Sequence, residues 1–293
     1  MRLDQTRIAI RERRMLEIMD LALRVVGASG PRLLAATAVL ALPLMLLNTW
    51  LIGWMVDEEY GAASIARFVW TMTQLVAVQA PLGSLVATYC LGQVMFLHAP
   101  SAGQTASDIL RLLPRLAVCH LLYRGVLPVM LLAAFISPDG DFSPAELLLP
   151  LLVFCLLPLR AVRPFLNEIV LLERNPLRAR DPQTLTVRRR SAALHGPNAG
   201  DLVAAWLASA AIATLLVIAV TFSSWYLAGT LLNNWSWGPA MVYLGIPLAM
   251  WLVATYFTVV RFLCYLDLRI RREGWEVELM VRAAATTLAG QET

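Results

Sequence analysis

Leucine, alanine, valine and isoleucine fill long blocks of this chain, and few charges interrupt them. A hydrocarbon core about 30 Å thick needs roughly 20 such residues per helical crossing. The blocks at 32–56, 62–97, 116–136, 145–159, 202–231 and 239–265 therefore predict an all-α, polytopic fold with six transmembrane helices. The second block is too long for one straight helix. Pro81 and Gly83 divide it, which predicts one crossing kinked near Pro81 with its first turns slanted along the outer interface. Two crossings of about 17 residues each is the competing reading. The fourth block has only 13 clean residues, Leu147 to Leu159, before Arg160. Its helix either continues to about Leu172 with arginines inside the membrane boundary, or those arginines snorkel to the phosphates.

Ahead of the first block, residues 13–29 carry Glu17, Asp20 and Arg24 on one side and Met15, Ile18, Met19, Ala22 and Val26 on the other. That pattern predicts an amphipathic helix lying in the interface, ended by Gly30-Pro31. The chain then divides into a cytoplasmic N-terminal region (1–31), a membrane domain (32–265) with a basic loop at about 173–201, and a cytoplasmic tail (266–293).

Arginine placement orients these crossings. Regions 1–32, 98–115, 160–200 and 266–293 hold 21 of the 24 arginines. The opposite side holds Asp57, Glu58, Glu59, Asp139, Asp141, Glu146, the turn "NNWSWGP" and one arginine, Arg67. This asymmetry predicts a multi-pass protein of the cytoplasmic (inner) membrane with both termini cytoplasmic. Splitting 62–97 into two crossings destroys it. Trp50, Trp54, Trp235 and Trp237 read as an aromatic belt or, alternatively, as the lining of a groove.

Composition agrees with this class. The chain is 59% hydrophobic and 15% charged, with a mean hydropathy of +0.66; a soluble domain averages about 25% charged residues. Every basic residue is arginine and the pI is near 9.1, pointing to anionic lipid headgroups and not to nucleic acid. Cys90, Cys119, Cys155 and Cys264 lie in or beside apolar blocks with no C-x-x-C spacing, and read as reduced, buried hydrophobes. H-E-x-x-H, G-x-S-x-G and Walker A patterns are missing, and the three histidines are scattered. No catalytic, cofactor-binding or metal-ligating residue is assigned on these grounds.

Ionisable groups within the blocks are the remaining candidates, because they are expensive there. His120 and Arg124 are four apart in the third block. Arg160, Arg163 and Asn167 share a helical face in the fourth, Pro164 kinks it, and Glu168 follows. One reading is a polar pocket in which Arg124, Arg160 or Arg163 meets Glu168 or an anionic headgroup. The other is charge neutralisation and snorkelling that only seats the helices. The segment 173–201, with Arg188-Arg189-Arg190, reads as a mobile basic loop that meets acidic lipid or an acidic partner, or is simply solvated.

The last block ends in Tyr265-Leu-Asp267-Leu-Arg269-Ile-Arg271-Arg-Glu273-Gly274-Trp-Glu. Here Arg261 is expected to reach the headgroups and Tyr265 to sit at the boundary, with the charges beyond in water. Asp267 to Arg271 is a helical i, i+4 pair, and Gly274 is a natural stop. This ending resembles the Y-x-D-L-R-x-R-x-E-G motif of bacterial multi-span membrane proteins similar to the membrane domain of glycerophosphoryl diester phosphodiesterases. The resemblance covers about a dozen residues and implies membrane class. It does not bring the phosphodiesterase reaction, which belongs to a separate soluble domain. "RPFLNEIVLLERNP" (163–176) also has the look of a motif, without a role attached.

Together these features lead to the expectation of a non-enzymatic component of a larger membrane assembly with protein partners. A transporter or permease for a small molecule or lipid is the alternative, since broken helices are where transporters place their sites. The topology is directly testable. Periplasm-active reporters fused at Gly140 and Asn234 are expected to be active and one at Gln183 silent; an active reporter at Gln183 refutes the six-crossing arrangement.

Overall fold

The computed structural model describes residues 14–56, 61–95, 101–136, 143–178 and 185–273. The described residues are almost entirely helical, with no strand among them. In chain order the helices are α1 (Met15–Ile52), α2 (Gly61–Gly83), α3 (Leu85–Met95), α4 (Ala102–Ala117) and α5 (Val126–Ala134). They continue as α6 (Pro144–Val162), α7 (Leu166–Leu171), α8 (Val187–His195), α9 (Ala199–Leu232) and α10 (Ile246–Glu273). Five helical segments are long and apolar enough to cross a membrane. A sixth is added if the bent pair Gly103–Tyr123 and Val126–Ala134, which meet at 58°, is one span.

α1 is 38 residues long, hence about 57 Å. It passes through Gly30-Pro31 unbroken, so the expected separate interfacial helix is instead the first turns of one long rod. A proline inside a helix forfeits one hydrogen bond and crowds the preceding turn. Here the turns before it are held from outside. Ile18, Met19 and Ala22 are buried against Val259, Phe262 and Leu263 of α10, and Tyr256 Oη donates to the Met19 carbonyl at 3.1 Å. The apolar face predicted for residues 13–29 exists, but it packs on protein.

The block 62–97 is a single run of 34 span-forming residues, Gly61–Val94, interrupted at Ser84 between α2 and α3. In the core, Asn48 of α1 and Gln79 of α2 are fully buried and exchange two amide hydrogen bonds of 2.8 Å. Such pairs join helices where apolar burial alone gives little preference for protein over lipid. Gly83 allows α10 to approach closely, since a Cβ there would lie 2.3 Å from the Trp251 ring. Around them Phe68, Met72, Leu75, Ile52 and Trp251 form the largest buried cluster.

The polar segment before the third block is helical from Ala102. Ser101 and Gln104 form a capping box that starts α4, with the Ser101 hydroxyl accepting from Gln104 N and the Gln104 side chain from Ser101 N. α4 passes into a π-helical stretch, Val118–Tyr123, and the chain turns at Gly125, whose φ is +68°. Likewise α6 stops at Val162 and α7 begins at Leu166, so no continuous helix runs from 145 to 172. The basic loop contains α8, with Val187, Ser191 and His195 buried.

α9 is the outlier. None of its most apolar window is buried, against 67% for α2–α3 and 56% for α10. It lies at the periphery, on α6 and α10. At its far end Trp225 stacks on Trp237, with centroids 5.7 Å apart, and Phe222 and Trp235 meet Trp225 edge-on. Arg67, the arginine on the acidic side, pairs with Glu146 and lies over the Trp54 ring.

The close approach at Gly83 sets a stability contrast. Gly83→Ala forces a buried indole to shift, an overpacking cost of about 1–3 kcal/mol. Gly27→Ala, with nothing within 4 Å, is expected to be neutral or stabilising by about 0.5–1 kcal/mol. Thermal unfolding in mild detergent compares the two.

Candidate functional site

Three helix breaks converge in the interior, and each leaves backbone carbonyls without their helical partners. Pro81 has no N–H, which frees the Ala77 carbonyl four residues earlier. Arg160 Nη1 takes its place, donating to Ala77 O at 3.1 Å and Val78 O at 2.7 Å. The Arg160 Nη2 atom donates to the Arg124 carbonyl at the α4–α5 break, at 2.5 Å. Arg124 in turn donates to the carbonyls of Arg163 and Pro164 at the α6–α7 break, at 2.9 and 3.2 Å. Asn167 Nδ2 completes the set on Pro81 O at 2.7 Å.

Below this layer Glu168 is fully buried. Its partner is Arg261 of α10, whose Nε donates to Glu168 Oε1 at 2.9 Å. Arg261 Nη2 reaches Ser84 Oγ at 3.3 Å and Thr88 Oγ1 at 3.1 Å, where α2 passes into α3. Glu168 thus meets an arginine that was expected at the headgroups, and none of Arg124, Arg160 and Arg163. The reason is position on the break: α6 stops at Val162 and α7 begins at Leu166, and Arg163 in the turn between them is exposed and contributes its carbonyl. The shared face expected for Arg160, Arg163 and Asn167 does not form. His120 is buried beside Asn167, within electrostatic reach of Arg124, Arg160 and Arg261, and neither ring nitrogen has a well-formed hydrogen bond. It arrives there on the π-helical stretch and not on a regular α-helical face.

A second network closes the end of the bundle where α7, α8 and α10 meet. Glu173 accepts from Tyr265 Oη at 2.6 Å, from Asn175 at 3.0 Å, and from Arg190 through both Nε (2.6 Å) and Nη2 (2.9 Å). Arg269 lies over the Tyr265 ring and 3.9 Å from Glu173. Tyr265 is 1% exposed and Asp267 3%, so Tyr265 is not at the boundary and Asp267 is not in water as expected. Asp267 is bound by Arg271 at 2.5 Å, the predicted i, i+4 pair. Glu273 is the last residue of α10; Gly274 and Trp275 lie outside the described residues.

The supposed loop histidine, His195, is also structural. Its Nε2 accepts from the Phe165 N–H at 3.3 Å while Nδ1 lies 2.7 Å from the Ser191 carbonyl. Nδ1 therefore carries the hydrogen. α4 is fixed by Asp108, which accepts from Tyr89 Oη at 2.8 Å and pairs with Arg174 at 2.6 Å.

Residues 163–176 and the 261–271 stretch of α10 therefore form one interface. Arg261, Tyr265 and Arg269 are spaced by four along α10 and meet Glu168 and Glu173 of the other segment. That spacing was the available signal for Arg261 and Glu173, but it names partners only when the second segment is in view. Among the described residues no group of three His, Cys, Asp or Glu is placed to hold a metal ion.

A cavity of about 280 Å³ opens beside the first layer, lined by Arg124, Arg160 and Arg261 and otherwise mostly by apolar residues of α2, α6, α9 and α10. No family model, curated protein or solved structure matches this chain.

Two substitutions separate the networks. Glu168→Ala leaves the half-buried Arg261 without its carboxylate partner and is expected to cost up to about 3 kcal/mol, with Arg261→Met in the same chain restoring part of it. Glu173→Ala unties Tyr265, Asn175 and Arg190, and is expected to lower the melting temperature and to speed tryptic cleavage at Arg188–Arg190. Thermal melts and timed proteolysis read the two outcomes.

Proposed function

We propose that this chain is a multi-pass protein of the cytoplasmic membrane that binds an organic anion between its broken helices and carries it, without catalysing a reaction. Membrane residence is supported by the five or six span-length helices and the apolar residues they expose, among them Val39, Leu46, Phe154, Leu215 and Ile218. The arginine asymmetry supports six crossings with both termini cytoplasmic. The local likeness of the tail to bacterial multi-span proteins belongs to the same proposal.

The single observation behind a binding role is charge. Three guanidinium groups, Arg124, Arg160 and Arg261, line the cavity, and among the described residues Glu168 is the carboxylate ion-paired in this cluster, with Arg261. Among the described residues Arg124 and Arg160 form no ion pair; their partners are carbonyls. Carbonyl dipoles satisfy N–H donors but do not cancel a positive charge. Buried charge without a counter-charge is costly, and an anionic solute relieves it. Broken helices around a polar centre are also the arrangement transporters use. This observation favours the transporter reading over the assembly reading, which gives no reason for arginines without a direct ion pair beside a cavity. The assembly reading keeps one support of its own, the unburied length of α9.

Purification in mild detergent decides between them. The expected result is a homogeneous particle of this chain whose melting temperature rises saturably with organic phosphates or carboxylates and not with organic ammonium ions. Reproducible stoichiometric partners, with no response to any anion, refute the binding role and return the protein to an assembly.

A further inference from the structure

The cavity is not a simple polar hole, and its asymmetry narrows what can fill it. At one end Arg124, Arg160 and Arg261 gather, and Arg160, 7% exposed, retains a buried Nε with no partner. The rest of the lining is mostly apolar and includes Ala205, Ala210 and Ala213 of α9 and Phe257 of α10. The small residues of α9 hold open a slot between that helix and α2. Those three α9 positions are half-buried and not buried, and no residue of α9's most apolar window is buried. A helix seated so lightly leaves the slot reachable from the side, at membrane depth.

A free inorganic anion matches only the arginine end. It would enter a mostly apolar space without its hydration and leave the α9 wall unfilled. An alkyl chain fills that wall and contributes about 0.8 kcal/mol for each methylene removed from water. The volume, about 280 Å³, lies at the low end of small-molecule sites, which suits a head with one chain and not two.

Resting on the anion-binding role above, we infer that the ligand is a single-chain anionic amphiphile that enters laterally past α9. Its phosphate or carboxylate head meets Arg124, Arg160 and Arg261, and its chain lies along Ala205, Ala210 and Ala213. Phosphate and carboxylate heads share the chemistry that matters here, a compact anion offering several acceptors to guanidinium donors.

The test uses the full chain in phosphatidylcholine nanodiscs, titrated with dodecyl phosphate, inorganic phosphate and dodecanol. Ligand-induced thermal stabilisation and quenching of Trp206, which lines the cavity, serve as readouts; Trp206→Phe identifies that residue's share of the emission. Dodecyl phosphate is expected to bind saturably, and both inorganic phosphate and dodecanol at least about tenfold more weakly. Ala210→Trp fills the slot without touching the arginines and is expected to weaken dodecyl phosphate by at least about tenfold while the unliganded melting temperature is kept. Arg160→Met is expected to remove the preference over dodecanol; if that variant does not fold, Ala210→Trp carries the test. Equal binding of inorganic phosphate overturns the amphiphile and leaves the anion-binding role standing. Equal binding of dodecanol shows that the arginines contribute nothing, and unchanged affinity in Ala210→Trp shows that the chain does not run along α9; either overturns the inference. No binding of either phosphate compound to folded wild-type protein overturns both the inference and the role beneath it.

Discussion

A backbone carbonyl that loses its helical partner away from water must find another donor, and in a hydrocarbon setting each failure costs several kcal/mol. This protein accumulates such failures in one place. Pro81 removes a donor within α2 shortly before its end at Gly83, a π-helical stretch and Gly125 separate α4 from α5, and a turn at 163–165 separates α6 from α7. The carbonyls of Ala77, Val78, Pro81, Arg124, Arg163 and Pro164, at or beside these breaks, accept from one cluster of side chains. Two arginines and one asparagine make up that cluster, with six hydrogen bonds. Guanidinium suits this task because it offers five donors in a fixed plane and accepts none. Helix breaks and arginines therefore require one another.

The solution has an electrostatic consequence. Carbonyls accept from the Nη atoms of Arg124 and Arg160 but leave their charge and the Arg160 Nε, and the nearby carboxylate of Glu168 is engaged by Arg261. A cavity bordering such a cluster is biased toward anions by the same residues that hold the helices together. In the proposed role, structure and binding are two readings of one set of side chains. Replacing an arginine tests both at once, which is why a slot-filling change on α9 is the cleaner probe of the ligand.

The end of the bundle near Glu173 works differently. There the carboxylate is surrounded by donors from α8, α10 and its own segment, so charge is balanced and the elements are clamped. Arg261, Tyr265 and Arg269 descend one face of α10 from the unbalanced layer to the balanced one. The conspicuous polar ending of the last apolar block is in this sense neither a loose anchor nor a free docking tail, up to Glu273. It is the rail on which residues 163–176 are seated.

Hydropathy alone determined the helical class and the presence of five or six span-length helices, because twenty apolar residues in sequence have few other fates; it misplaced their limits, since the first begins at Met15 and not at 32. The i, i+4 pair of Asp267 and Arg271 was equally readable, being local. Composition also singled out His120, Arg124, Arg160, Asn167 and Glu168 as residues unlikely to be idle. What only the tertiary structure decided were the pairings: Glu168 with Arg261, Glu173 with Tyr265 and Arg190, and Asn48 with Gln79. These join positions 17 to 93 residues apart, and no periodicity encodes a partner on another helix. Local rules also misjudged Gly30-Pro31 and residues 187–195. A proline's local cost was outweighed by burial of α1 on α10, and a polar, arginine-rich segment became helical because Glu173 and Phe165 gave Arg190 and His195 something to hold. Breaks are visible in a sequence; which breaks face one another is a property of the packed bundle.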